Sequence, residues 1–269
     1  MRLLNPAGAI LGSLSTVPVT IRDDDTTQGV NPIFNNSNHS FFVRQQYLDF
    51  LSREPELDGF NDWLSVLNNC SNVDDNPNCD RSTVSSSFFR STEFQLKGYF
   101  VYLFYKVSLG SRPLYVEIVS DMRSVTGATS AEVFAKRDAF ANNWLARPEF
   151  KTLYPGTLTP TEYIDKLLQT ARVTLTGAVT RETLIADLQT GRKTRAEVLR
   201  AIVEHPSVNA QEFNQAFVAM QYFGYLRRDP DAQGYQNWLN YLNANPSDFR
   251  TMVRGFLYST EYTLRFGKV

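Results

Sequence analysis

Three groups of side chains have types and spacings that could do chemistry. Asp74, Asn76, Asn78 and Asp80 alternate oxygen donors as a calcium loop does, so their short side chains could converge on a hard cation. The sixth position of such a loop needs glycine for its sharp turn, and here it is Cys79; the twelfth, normally a bidentate glutamate, is Ser85. The EF-hand reading therefore fails. A weaker calcium site or a hydrated loop remains, and the second is preferred, so no metal site and no other cofactor are expected. Cys70 and Cys79 flank the same polar excursion. Paired, they would close a short loop of the kind that persists in oxidising compartments; unpaired, they are two thiols. Pairing is preferred, since no third cysteine competes.

The third group is Arg53-Glu54-Pro55 and Arg228-Asp229-Pro230, each a guanidinium beside a carboxylate ahead of a proline. A planar guanidinium in that place could latch a turn through hydrogen bonds to carbonyls or a carboxylate, or it could mark a ligand site. The latch is preferred, because the same grammar twice in one chain fits a folding requirement better than two unrelated active sites. Of the two histidines, His39 and His205, neither belongs to a zinc-like cluster, and His205, just before Pro206, is expected near a helix C-terminus where the dipole favours a cation. No phosphate loop, dinucleotide fingerprint or nucleophile elbow is present, and Glu54 with Glu56 lies in a turn. No catalytic residues are expected, and the chain reads as a non-enzyme.

These residues must be positioned by a chain of 269 residues, 42% hydrophobic and 13% aromatic, long enough to bury a sizeable core. Lys plus Arg number 27 against 28 Asp plus Glu, a net charge of -1, which does not draw in nucleic acid or an anionic membrane. No run approaches the roughly 18 apolar residues of a spanning helix, so no membrane insertion is expected. Asn5 and Pro6 interrupt anything that could serve as a signal-peptide apolar region.

Val17, Val19 and Ile21 alternate with Pro18, Thr20 and Arg22, a period-two strand signal running into Asp23-Asp24-Asp25, with Gly8 and Gly12 supplying turns before it. This predicts a short N-terminal β-hairpin over 1–25, then a polar linker over 26–39. From 40 to 269 the pattern is helical. Thr159-Pro160-Thr161-Glu162 is a capping box, and further helix starts are expected at Thr194 with Glu197, Asn209 with Glu212, and Asn245-Pro246 with Asp248. The fold class expected is all-α, a bundle of repeated helix-turn-helix units.

The repetition is explicit. Phe42-Val43, Tyr47, Leu51, Arg53-Glu54-Pro55, Gly59-Phe60 and Trp63-Leu64 recur as Phe217-Val218, Tyr222, Leu226, Arg228-Asp229-Pro230, Gly234-Tyr235 and Trp238-Leu239, every pair offset by 175 positions. A partial copy, Phe100-Val101, Tyr105, Leu109 and Pro113, lacks the glycine and tryptophan. A second element follows each copy: Ser91-Thr92-Glu93-Phe94, Arg147-Pro148-Glu149-Phe150 and Ser259-Thr260-Glu261-Tyr262. In one unit, Phe42, Tyr47, Leu48 and Leu51 make an apolar helical face and Pro55 ends that helix. Glu56 or Asp58 can cap the next, Gly59 permits a close backbone path, and Phe60, Trp63, Leu64 and Leu67 repeat the stripe.

Over 40–265 this grammar resembles the bacterial domain-of-unknown-function family numbered 4214, itself similar to the helical domain of phycobilisome linker proteins, which join other proteins and catalyse nothing. The middle unit departs from the pattern at Ser111-Arg112-Pro113. Leu4 to Ser13 followed by Val17 to Asp25 resembles the last two strands of a Calx-beta domain. Together the resemblances imply the C-terminal part of a modular bacterial protein, secreted or surface-associated. Tyr99, Phe100, Tyr102, Phe104 and Tyr105 encircle one helix; burial is the default reading, and an open groove for glycan or protein is the other. The function expected is a non-catalytic interaction module working in adhesion or assembly, its partner a protein of the cell envelope or matrix. An extracellular carbohydrate-binding module is the alternative, and an enzyme of unknown class comes third.

Overall fold

The computed structural model describes residues 31–127 and 129–267. The hairpin expected over 1–25 and residues 26–30 of the linker lie outside the described residues. Among the described residues every regular element is helical and none is a strand.

The N-terminal copy begins with α1 (Ser40–Gln46), which continues as a π-helical segment (Tyr47–Leu51) and stops at Ser52, where φ is 54°. After the Pro55 turn come α2 (Leu57–Asn68), the cysteine loop and α3 (Arg81–Arg90). Ser91 caps α4 (Thr92–Phe94), which passes through a second π-helical segment (Gln95–Tyr99) into α5 (Phe100–Leu109), the first helix of the middle copy. That copy adds α6 (Tyr115–Ser124), α7 (Ser130–Trp144) and α8 (Pro148–Leu153). Three helices without the repeat pattern follow: α9 (Pro160–Ala171), α10 (Arg181–Gln189) and α11 (Arg195–Val203). The C-terminal copy comprises α12 (Pro206–Gln221), a π-helical segment (Tyr222–Leu226), α13 (Ala232–Ala244), α14 (Phe249–Leu257) and α15 (Thr260–Thr263).

The first helix of every copy ends in the same way. Ser52, Gly110 and Arg227 occupy matching positions, and all three are left-handed, at φ 54°, 72° and 52°. Such a residue turns the chain out of the helix before the proline. Only the middle copy uses glycine there; the others accept the cost of a side chain in that region, of order 1 kcal/mol.

The two outer copies pack on each other through matching parts. The π-helical segment after α1 meets the one after α12, and α3 lies against α14. Phe50 and Tyr225, at the same place in their copies, meet edge to face at 5.1 Å. Contact between equivalent elements is the mark of a two-fold relation, here within one chain. Residue 224 is glycine because a Cβ there would stand 2.7 Å from the Phe50 ring. Buried between the copies, Asp49 receives Arg265 at 2.8 Å and Tyr262 at 3.2 Å. The middle copy sits alongside, its α5 packed by α9 and α11.

The default reading of the aromatic helix holds: Tyr99, Tyr102 and Tyr105 are all buried and line no open groove. Other expectations are corrected. Residues 31–39 are not a free linker: Ile33 is fully buried, Phe34 stacks on Tyr258 at 5.0 Å, and Asn31 donates to the Thr263 carbonyl at 3.0 Å. Their polar composition hid two apolar side chains that reach the core. The capping boxes at Thr159 and Thr194 are present. Asn209 is inside α12, whose cap is His205, its Nδ1 accepting from the Ser207 amide at 3.0 Å. Pro206 at the first helical position already fixes that start, and His205 thus serves a helix N-terminus, not the C-terminus expected. The last such start falls on Asp248 itself, which accepts from the Thr251 amide at 3.2 Å.

Candidate functional site

The repeated turn residues form one assembly per outer copy. In the N-terminal copy Arg53 grips Glu93 of α4 with two parallel hydrogen bonds, Nε to Oε1 at 2.7 Å and Nη2 to Oε2 at 2.6 Å. Its Nη1 donates to the Glu54 carbonyl at 2.9 Å and to the Glu56 carboxylate. The guanidinium lies 5.0 Å from the centre of the Tyr47 ring. The C-terminal copy repeats this: Arg228 holds Glu261 of α15 at 2.6 and 3.0 Å, donates to the Asp229 carbonyl at 3.1 Å, and lies 5.2 Å from the Tyr222 ring. A fork geometry that satisfies both carboxylate oxygens is what arginine supplies and lysine does not. Each turn is thus tied to the helix that closes its own copy.

Gly59 and Gly234 have the same cause. A Cβ at Gly59 would stand 2.6 Å from the Tyr47 hydroxyl, and one at Gly234 2.3 Å from that of Tyr222. The bare backbone lets a tyrosine of the first helix lie against the second. Behind it Tyr47 meets Phe88 edge to face at 4.9 Å, and Trp63 covers Phe88 at 5.6 Å; Tyr222, Phe256 and Trp238 repeat the arrangement at 4.8 and 5.9 Å.

The middle copy rebuilds the assembly from other residues. Ser111 stands where the arginine would be, and Arg147, from the loop before α8, reaches Asp121 at 2.6 Å and the Tyr105 hydroxyl at 3.1 Å. Glu149, at the position of Glu93 and Glu261, is exposed. Pro55 and Pro230 follow their arginines in the turns, but their acidic neighbours diverge. Glu54 takes Arg44 from α1 at 2.7 Å, while Asp229 accepts from the Tyr115 amide at the start of α6, at 2.8 Å.

Glu93 and Glu261 were not anticipated as partners of the arginines. The signal was present, since each sits in a Ser-Thr-Glu motif recurring after its own copy. Burial pushes the Glu93 carboxyl up, but Arg53 and Lys97 outweigh it and hold the group below the usual glutamate range. Burial foremost, with Glu56 adding to it, pushes Tyr47 up to about 12.

Cys70 and Cys79 form a disulfide with Cα atoms 5.6 Å apart. The carboxylates of the loop it closes face arginines. Asp74 pairs with the fully buried Arg81 and accepts from Tyr258 at 2.8 Å, and Asp80 caps α3 while pairing with Arg250 of α14. Asn76 and Asn78 serve the loop itself, Asn76 accepting from the Asn78 amide at 3.1 Å. Among the described residues no three His, Cys, Asp or Glu side chains are grouped to hold a metal ion. His39 lies near Arg81; burial, then the guanidinium's charge, lowers its pKa.

The N-terminal assembly opens on one side into a groove of about 420 Å³, lined by Tyr47, Trp63 and Phe88 with Arg53, Glu56 and Asp62. Across the Arg53–Glu93 bridge lies a second cleft of about 560 Å³ that shares those two residues and adds Leu96 and Val133. The C-terminal copy fills the matching space differently. Its Gly255 replaces Ser87, and a Cβ there would stand 2.9 Å from the Trp238 ring.

The fold and these assemblies define a helical-hairpin repeat domain. Residues 208–266, the C-terminal copy, match the family model described as domain of unknown function (DUF4214). The N-terminal copy carries the same residue pattern outside the matched span. No curated protein and no solved structure matches the chain. Among the described residues no helix is long and apolar enough to cross a membrane.

Proposed function

We propose that this chain is a non-catalytic helical interaction module of a secreted or cell-surface bacterial protein, acting in adhesion or assembly through protein contacts. The observation that carries this reading is the closure of both arginine assemblies on their own copies. Each guanidinium is spent on a carboxylate and a carbonyl of the same helical hairpin, so the repeated polar residues hold structure together rather than face a substrate. The disulfide supports an oxidising compartment.

Carbohydrate binding is the second reading, and the groove beside Trp63 favours it, because an aromatic face with neighbouring carboxylates also suits a sugar. A photo-cross-linker at the exposed Leu57, which follows the groove-lining Glu56 in sequence, separates the two. With envelope-fraction proteins, the protein-contact reading expects one defined adduct that excess unlabelled chain competes away, and a blank glycan array. A saturable sugar signal without any adduct would reverse the order.

A further inference from the structure

We propose that the groove of the N-terminal copy receives a lysine or arginine side chain of a partner segment, a nearby apolar residue of which enters the adjoining cleft. This rests on the protein-contact reading above and names the chemistry of the partner.

The charges of the groove do not cancel. Arg53 and Lys97 are matched by Glu93 and Glu56, through the Arg53 fork and the Lys97–Glu93 pair at 2.5 Å. Asp62 is then left over. It lines the groove, is exposed, and has no partner among the described residues; neither has Asp58, one turn earlier on α2. Arg90, the nearest further cation on α3, folds back on the Ser86 carbonyl at 3.4 Å and does not line the groove. Beside the free carboxylate stands the half-buried ring of Trp63, the best side chain for holding a cation over its face. A carboxylate and an indole on one concave wall recognise a cation more specifically than either does alone.

The occupant is chain-like because the cavity continues. Past the Arg53–Glu93 bridge the second cleft presents Pro55, Leu96 and Val133, an apolar lining that a free cation would not use. The C-terminal copy lacks the pair of features: position 237, matching Asp62, is asparagine, and Trp238 lies over the backbone at Gly255. The groove is therefore a property of one copy, grafted on a hairpin that both share.

The test is calorimetric titration of the full chain with acetyl-(Leu-Lys)3-amide and with acetyl-(Leu-Glu)3-amide. The lysine peptide is expected to bind saturably at one site and to weaken as sodium chloride is raised, while the glutamate peptide does not bind. Asp62→Lys, an exposed change that leaves the fold intact by its melting curve, should weaken binding at least tenfold; Asn237→Lys in the other copy should leave it unchanged. Trp63→Leu should also weaken it. Equal binding of both peptides, or an unaltered Asp62→Lys variant, would overturn the proposal, as would a glycan whose binding Asp62→Lys abolishes. If the Leu57 cross-link to an envelope protein survives Asp62→Lys, the module reading stands and this assignment falls; if no adduct forms in either protein, the module reading itself fails.

Discussion

The tyrosine hydroxyl explains the glycine at the residue scale. Tyr47 and Tyr222 come within the volume that a methyl group would occupy on the second helix, so Gly59 and Gly234 are set by a neighbour and not by a left-handed backbone. Gly59→Ala should cost about 1–3 kcal/mol by overpacking. Removing the hydroxyl with Tyr47→Phe in the same chain should return part of that loss, since Glu56 Oε1, which a Cβ at residue 59 would approach to 2.3 Å, stays in place; urea denaturation of the four members of the cycle would measure it. A double variant no more stable than Gly59→Ala would deny the contact. The tyrosines, arginines, glycines and tryptophans were all legible as recurrences at one offset. Their purpose was not, because a sequence repeat records that positions are alike without recording what they touch. The pairing of Glu93 with Arg53 is hidden in the sequence for that reason, although both motifs recur. The role of Arg147 could not have been found, since the middle copy changed the position of its arginine and the identity of its carboxylate, and replaced the fork by single hydrogen bonds to Asp121 and to the Tyr105 hydroxyl.

Among the elements, the cysteine loop is the largest difference between the outer copies. Arg53 and Glu93 are 40 positions apart, Arg228 and Glu261 33, and the additional residues of the first copy fall between α2 and α3. This longer loop is both cross-linked and used: Asp74 and Asp80 reach Arg81, Arg250 and Tyr258, fastening α14 of the C-terminal copy. Replacing both cysteines by serine should lower stability by about 2.5 kcal/mol, the loop entropy released to the unfolded chain. Because α14 leans on the loop, its amides should also exchange faster, while those of α9, which packs on α5, keep their protection. Unchanged exchange in α14 would mean that the loop carries nothing across the copies. The helices themselves were readable where a capping box marked their start, as at Thr159 and Thr194. They were misplaced where His205 caps α12 ahead of Pro206, and where Asp248 rather than Asn245 caps α14. Contacts such as Asp80 with Arg250 leave no trace in periodicity, since 170 positions separate them.

Over the whole molecule, two like hairpins face each other about an internal two-fold while a third, altered copy flanks them. Their shared faces bury Phe50, Tyr225 and Asp49, so neither outer copy completes its core alone. Repetition supplied the all-helical architecture from sequence; the pairing of first copy with last, around an intervening middle copy, came only from the arrangement in space. The N-terminal copy opens an aromatic groove with a free carboxylate on this shared frame. What makes this reading coherent is that the arginine assemblies are braces.

Equilibrium urea unfolding of Arg53→Gln, Arg228→Gln and the double variant tests that most directly. Each substitution leaves a carboxylate without its fork, and the loss should be about 1–2 kcal/mol for Arg53 and smaller for the more exposed Arg228. The two losses should add, because the braces share no partner. Variants that unfold with the stability of the original chain would contradict the account.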